Sequence, residues 1–181
     1  MRTHRRGMLP VSASLAGAVA LVIVTAGPVE AAPSAGTTTT FDVTAATLDI
    51  TAPGTAALTN VAPGGTATGS LADTVVTDGR AAADAGWTAT VLSTAFTSGT
   101  QSIPASDVRY SSGAATATTG NGTFTAGGTV TPDATAPEVT AFSHAGGTGN
   151  NTSTWGPTLS VIVPLGTSTG TFTGTVTQSV A

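Results

Sequence analysis

The sequence predicts an all-β fold, a single-domain β-sandwich or barrel-like fold of short antiparallel strands. Threonine and serine occupy every second position from Thr169 to Ser179, while Phe172, Val176 and Val180 recur on the opposite face. This two-residue period is typical of a half-buried strand. Glycine-containing turn signals recur along the chain, and many short strands separated by such turns indicate a sandwich or barrel. Ala81 to Ala85 is compatible with one helical turn, and the glycine on each side limits its length.

Other short apolar runs predict further strands between the turns. They are Phe41–Val43, Leu48–Ile50, Leu71–Val76, Trp87–Leu92, Val108–Tyr110 and Leu159–Val163. The turn signals are Pro53-Gly54, Pro63-Gly64-Gly65, Asp78-Gly79, Asn121-Gly122, Gly127-Gly128 and Gly146-Gly147. Pro164 ends the Leu159 run, because proline has no amide hydrogen to donate to a strand ladder.

The first 31 residues have the pattern of a signal peptide. A basic start that includes Arg5-Arg6 precedes an uncharged apolar run from Val11 to Ala26, and small residues place the cut after Ala31. The run is shorter than the roughly 20 residues of a membrane span, so we expect no span after signal removal. Arg5-Arg6 also fits a twin-arginine signal, which leaves the export route open.

Removal of residues 1–31 leaves a flexible Thr-rich spacer at 32–40 and one β domain at 41–181. We therefore expect a secreted, extracellular protein. A covalent sorting tail is not expected, because the C-terminal end has neither a Leu-Pro-x-Thr-Gly motif nor an apolar segment.

Composition excludes several classes of function. The chain has no cysteine, so disulfides, zinc knuckles and thiol nucleophiles are excluded. Charged residues make up 8% of the chain, and the five basic residues are all arginines. Only Arg80 and Arg109 follow the signal peptide, which leaves no basic surface for nucleic acid or an anionic membrane.

The remaining polar residues do not predict an enzyme, a cofactor or a metal site. His144 lies beside Ser143 in a Gly-rich stretch without an orienting acid, so we interpret it as a surface-loop histidine. The acids Asp73, Asp78 and Asp84 are spaced by five and six residues, which matches no calcium loop. We expect Asp73 and Asp84 to be solvated.

The segment from Asp78 to Trp87 is the most informative part of the chain. Asp78 and Arg80 would share one face of an extended strand, and a glycine introduces Trp87 on the next strand. The structural interpretation is that Trp87 anchors the core while Asp78 and Arg80 fix the turn. The functional interpretation is a shallow site in which a sugar ring stacks on the indole and its hydroxyls meet the polar pair.

At these residues the chain resembles the WxL domain of Gram-positive surface proteins, and the likeness spans about residues 41–181. The matching segments are Val76–Arg80 with Gly86–Thr90, then Ile103–Tyr110, then Leu159–Pro164 with Gly170–Val176. The resemblance implies a secreted β-rich domain that attaches noncovalently to the cell wall, with peptidoglycan or another cell-wall glycan as its ligand.

The two Trp-x-Leu motifs of that family are altered here. The first appears as Trp87-Thr88-Ala89, and the second as Gln178-Ser179-Val180. Trp155, on a predicted loop from Gly146 to Gly156, is either a substitute for the missing aromatic or a lid over the edge of the sandwich. The ligand-binding candidates implied by resemblance are Asp78, Arg80, Trp87 and Trp155.

A second class of function stays open on the same residues. A Thr-rich sheet with few charges leaves its edge strands unguarded, and a partner can add a strand there. The alternative to a wall-binding domain is thus a structural or protein-interaction module that contacts other secreted surface proteins.

Overall fold

The computed structural model describes residues 33–44 and 46–181, which contain antiparallel strands and a single 3-10 turn, Ala105–Asp107. In chain order the strands are β1 (Leu48–Thr51), β2 (Thr66–Ser70), β3 (Thr74–Asp78), β4 (Trp87–Ser93), β5 (Phe96–Ser98), β6 (Gln101–Ile103), β7 (Val108–Ser111), β8 (Ala115–Thr119), β9 (Thr123–Ala126), β10 (Thr129–Val130), β11 (Val139–Ala145), β12 (Asn151–Trp155), β13 (Thr158–Ile162) and β14 (Val176–Val180). The predicted all-β class is confirmed. No helix in the described part of the chain is long and apolar enough to cross a membrane.

The strands form two layers that pack face to face as a β-sandwich. One layer is a four-stranded sheet in the order β14-β4-β11-β9, here called the front sheet. The other layer, the back layer, contains two four-stranded sheets, β1-β3-β12-β8 and β2-β13-β7-β10. A small β5-β6 hairpin completes the described strands.

Three stretches of the chain each contribute one strand to both sheets of the back layer. Strand β2 continues into β3, β7 into β8, and β12 into β13, and these strands lie in the same lateral order in both sheets. Short breaks at 71–73, 112–114 and 156–157 separate the halves. Ala72 and Gly113 have positive φ angles at two of these breaks, which lets the chain bend there. The amide of Leu71 donates to the carbonyl oxygen of Pro157 at 2.8 Å and joins two of the breaks.

Each half of the back layer contributes one hydrophobic cluster against the front sheet. The first cluster joins Tyr110, Leu159 and Val161 of the back layer to Val91 and Ala141 of the front sheet. The second joins Val76 and Trp155 of the back layer to Trp87, Ala89 and Phe142 of the front sheet. Every second residue of β4 is buried and the residues between are exposed or half-buried, as the two-residue period predicts.

Some predicted elements differ from the observed ones. Phe41–Val43 is not a strand, and both apolar side chains are exposed. The predicted strand from 169 to 180 is observed only at Val176–Val180. Before it, the chain passes close to β5, where a Cβ atom at Gly170 or Gly174 would meet Ser98 or Phe96, and Thr173 forms an isolated bridge to Thr97. The segment Ala81–Ala85 forms no helical turn, and Ala81 itself has a positive φ of 51°.

The predicted domain boundaries are only partly within the described residues. The predicted signal peptide, 1–31, lies outside them. Residues 33–40 of the predicted spacer are exposed and have no regular secondary structure. All of the strands lie in a compact unit that spans Asp42–Ala181.

Candidate functional site

Asp78 and Arg80 form the ion pair that their spacing predicts. Asp78 is the last residue of β3 and is 1% exposed. Arg80 donates from Nε to Oδ1 and from Nη2 to Oδ2 of that carboxylate, both at 2.9 Å, and its backbone amide also donates to Oδ1 at 3.0 Å. Such a two-pronged contact fixes the direction of both side chains.

The ion pair keeps Asp78 charged. Hydrogen bonds from the Arg80 side chain, opposed by burial, lower the pKa of Asp78 from 3.8 to about 2. The same contact raises the pKa of Arg80. A carboxylate with this pKa is ionised at neutral pH and has no proton to donate, so it does not suit a general acid.

Trp87 belongs to the same polar cluster through a residue that the sequence analysis missed. The indole Nε1 donates to Oδ1 of Asn151 at 2.8 Å, and Nδ2 of Asn151 lies 3.4 Å from Oδ2 of Asp78. Nη2 of Arg80 also donates to the carbonyl oxygen of Gly86 at 2.8 Å. Asn151 lies directly opposite Asp78 in the β12-β3 ladder, and only the strand pairing reveals that position.

The cluster of Asp78, Arg80, Trp87 and Asn151 is closed to large ligands. Trp87 is 3% exposed and Asn151 is 2% exposed. Neither face of the indole is free to stack on a sugar, and the outer edge of Arg80 is the part that solvent reaches. The arrangement matches the structural interpretation of this segment, in which the ion pair fixes the turn and the indole anchors the core.

Trp155 lies in the core, and its predicted position on a loop is wrong. It ends strand β12, in which Asn151, Ser153 and Trp155 alternate into the interior. Its ring stacks on Phe142 with centroids 4.7 Å apart, and its Nε1 donates to the hydroxyl of Tyr110 at 3.1 Å. A buried Trp155 therefore does not replace, as an exposed side chain, the aromatic that is missing from the second Trp-x-Leu motif.

His144 is buried, so its prediction as a surface-loop residue is also wrong. Strand β11 turns Phe142 and His144 to the same inward face, and His144 stacks on Phe124 with centroids 4.3 Å apart. Its Nε2 contacts the carbonyl oxygen of Asn121 at 2.9 Å. Ser143 lies on the opposite face of the strand, and no acid contacts the ring in the described hydrogen bonds. The pair does not form a catalytic triad.

An open groove of about 630 Å³ lies away from this cluster, between the segments 56–61 and 167–174. Its floor is apolar and includes Phe96, Ile103 and Val161. Threonine and serine residues at 167–171 supply hydroxyl groups along one wall, and no charged residue lines the groove. No pattern in the sequence predicts this groove, because its two walls come from segments that lie far apart in the chain.

Metal ligands do not cluster in the described residues. No group of three or more histidine, aspartate or glutamate side chains lies close enough together to hold an ion within 33–44 and 46–181. Asp73 and Asp84 are exposed to solvent, as expected.

Comparison with family models, with curated proteins and with solved structures gives no match for the chain. The resemblance to the WxL domain therefore stays a prediction from the sequence.

Proposed function

We propose that this protein is a non-enzymatic domain of the cell surface that is exported and binds cell-wall glycan through the groove between 56–61 and 167–174. The observation that carries the proposal is the uncharged groove with an apolar floor and a wall of hydroxyl groups. Sugar rings present apolar C–H faces and a rim of hydroxyls, so both parts of such a groove have a matching partner.

In this proposal the four candidate residues support the fold and do not touch the ligand. Asp78, Arg80 and Trp87 hold the end of β3 against β4, and Trp155 fills the core between the two layers. The family resemblance suggests wall attachment, and the groove supplies an accessible surface for it.

Sedimentation with insoluble peptidoglycan tests this proposal. Thr171→Glu places a charge in the groove, and Thr177→Glu places the same charge on the exposed face of β14, outside it. We expect the wild-type chain and Thr177→Glu to co-sediment with the wall and Thr171→Glu to remain in the supernatant. Equal sedimentation of both variants would exclude the groove, and no sedimentation of the wild type would exclude wall binding.

One observation favours the second function, a protein-interaction module. Phe41 and Val43 are 87% and 86% exposed, at alternate positions of a segment without strand pairing. An extended segment that shows apolar side chains on one face can be added as a strand to the sheet of another protein.

A capture experiment separates the two functions. The double variant Phe41→Ser with Val43→Ser leaves the groove intact and removes the exposed apolar pair. If the protein is an interaction module, the wild type should capture one protein from culture supernatant in stoichiometric amount, and this variant should capture none. Wall binding predicts that the variant sediments with peptidoglycan as the wild type does.

A further inference from the structure

Two tight turns lie side by side at one end of the sandwich, where β2 begins and β13 ends. They are Ala62–Gly65 and Pro164–Thr167, here called together the tip. A hydrogen bond between the first and last residues closes each turn, at 3.0 Å in the first and 2.8 Å in the second. The third residue of each is a glycine with a positive φ, 85° at Gly64 and 79° at Gly166, as a type II turn requires.

The tip has a fixed shape, because its two turns are bonded to each other. The amide of Gly64 donates to the carbonyl oxygen of Val163, and the amide of Val163 donates to the carbonyl oxygen of Gly65, both at 2.9 Å. The Leu165 side chain lies against Gly64, where a Cβ atom would come within 2.7 Å of it. A side chain that is already held in place loses little conformational freedom when a partner covers it.

The surface of the tip is apolar, exposed and uncharged. Leu165 is 86% exposed, Ile162 is 41% exposed and Val61 is 39% exposed. The segments 61–65 and 162–167 contain no charged residue. An exposed apolar cluster of this kind is typical of an interaction surface.

The tip borders the open groove described above. Val61 and Pro63 line the groove from the first turn, and Val163 and Thr167 line it from the second. A projecting apolar tip and a recessed apolar groove are therefore neighbours on one surface, and neither has a charge. The groove, at about 630 Å³, has room for the Leu165 side chain and the turn that presents it.

We propose that two copies of this chain form a symmetric dimer in which the tip of each copy enters the groove of the other. A two-fold axis brings the same patch of both copies together, so a patch with a projection beside a recess is complementary to itself. The core of a protein interface is depleted of charged residues, as the tip and the groove both are. This arrangement uses both tips and both grooves, so association ends at the dimer.

A second copy fits this surface better than a lipid bilayer does. A bilayer would accept the apolar tip but would leave the adjoining groove unfilled, whereas a second copy covers both. The tip also has no lysine or arginine to contact anionic headgroups.

The dimer goes beyond wall binding, and one consequence of it rests on the proposed function. A groove that holds the tip of a second copy is closed to glycan, so dimer formation and wall binding exclude each other. The exported protein would then bind the wall as a monomer.

Sedimentation velocity of the purified protein tests the dimer. In a concentration series up to about 1 mM, which covers weak contacts, we expect the sedimentation coefficient to rise from that of a monomer to that of a dimer and to stop there. A wild type that stays monomeric throughout the series, or that grows beyond the dimer, would overturn the proposal.

Two pairs of variants assign the contact. Leu165→Ser shortens the tip, and Val43→Ser is its matched control, because Val43 is also 86% exposed but belongs to neither the tip nor the groove. Two leucines lose their contacts in each dimer, so Leu165→Ser should raise the dissociation constant by about 100-fold or more, and the control should leave it unchanged. Thr171→Glu, which charges the groove, should weaken the dimer, whereas Thr177→Glu on β14 should not. Equal dissociation constants within either pair would contradict the contact between tip and groove.

Flotation with neutral phosphatidylcholine vesicles tests the lipid alternative. We expect the wild type to remain unbound. Flotation of the wild type that Leu165→Ser abolishes would assign the tip to a lipid surface and would overturn the dimer.

Soluble peptidoglycan fragments separate the dimer from the proposed wall binding. We expect the fragments to convert the dimer to monomer, because both use the groove. A dimer that persists in saturating fragments would support the dimer and exclude glycan from the groove. A wild type that sediments with the wall but never dimerises would support wall binding and overturn the dimer.

Discussion

The indole Nε1 of Trp87 donates a 2.8 Å hydrogen bond to Oδ1 of Asn151, 64 residues further along the chain, in the interior of the sandwich. Asn151 also reaches the Asp78 carboxylate, so one amide connects the tryptophan to the ion pair. The segment that most suggested a binding site in the sequence is therefore a buried polar link between β3, β4 and β12. Its contacts predict measurable effects on stability.

Removal of Asn151 should leave the indole N–H of Trp87 without a partner. We expect Asn151→Ala to reduce the free energy of unfolding by about 2 kcal/mol, the usual cost of an unpaired buried polar group. Asn150→Ala alters the exposed neighbouring residue and should change the free energy by less than about 0.5 kcal/mol. Urea unfolding followed by tryptophan fluorescence measures both. Equal stability of the two variants would show that the hydrogen bond contributes nothing.

Acid should weaken the fold through Asp78. Its pKa is lowered from 3.8 to about 2 in the folded state, so its contribution is present above about pH 4 and is lost as the pH falls toward 2. The contribution is at most about 2 kcal/mol, and less because the Arg80 side chain is about one third exposed. Asp78→Asn should be less stable near neutral pH and should lose less stability on acidification than the wild type. Parallel urea midpoints for both proteins across this range would contradict the prediction.

The ionisation of Tyr110 can be followed directly by ultraviolet absorption, because it is the one tyrosine of the chain. Burial raises its pKa from 10.0 to about 12, so the folded state favours the protonated hydroxyl. The stability that this shift provides is present below about pH 10 and is lost as the pH rises toward 12. The ultraviolet phenolate band of the folded protein should appear near pH 12, and in urea it should appear near 10. A folded-state titration near 10 would indicate an accessible hydroxyl.

Gly147 should tolerate no side chain, because it lies against the buried His144. A Cβ atom at Gly147 would come within 2.3 Å of Cε1 of that ring. We expect Gly147→Ala to reduce the free energy of unfolding by about 1 to 3 kcal/mol through overpacking. Gly54→Ala is the matched control, since a Cβ atom there meets nothing within 4 Å. Thermal unfolding of the two variants should differ, and identical midpoints would argue against the tight contact.

The strands that the sequence predicts correctly are those with large apolar residues at alternate positions. Trp87–Leu92 and Leu159–Val163 match β4 and β13 closely, because buried valine, leucine and tryptophan mark the inward face. The central strands β11 and β12 were missed. Their inward positions include alanine, serine, asparagine and histidine. Burial therefore alternates along these strands, but the hydrophobicity of the residues does not.

The candidate site was predicted only where its contacts are local in sequence. Asp78 and Arg80 are two residues apart, and an extended chain brings them to the same face. Asn151 lies 73 residues from Asp78, and its role depends on the pairing of β12 with β3. Trp155 was misplaced because the glycines between 146 and 149 suggested a loop as far as Gly156. In the structure that loop ends before β12 begins at Asn151.

Acrylamide quenching of tryptophan fluorescence tests most directly the central claim that Trp87 and Trp155 stabilise the core and do not bind ligand. The chain has two tryptophans, so Trp87→Phe and Trp155→Phe each leave one reporter. We predict weak quenching of both variants, unchanged by added peptidoglycan, because the indoles are 3% and 0% exposed. Strong quenching of either indole in the folded protein, or protection of it by peptidoglycan, would contradict the account.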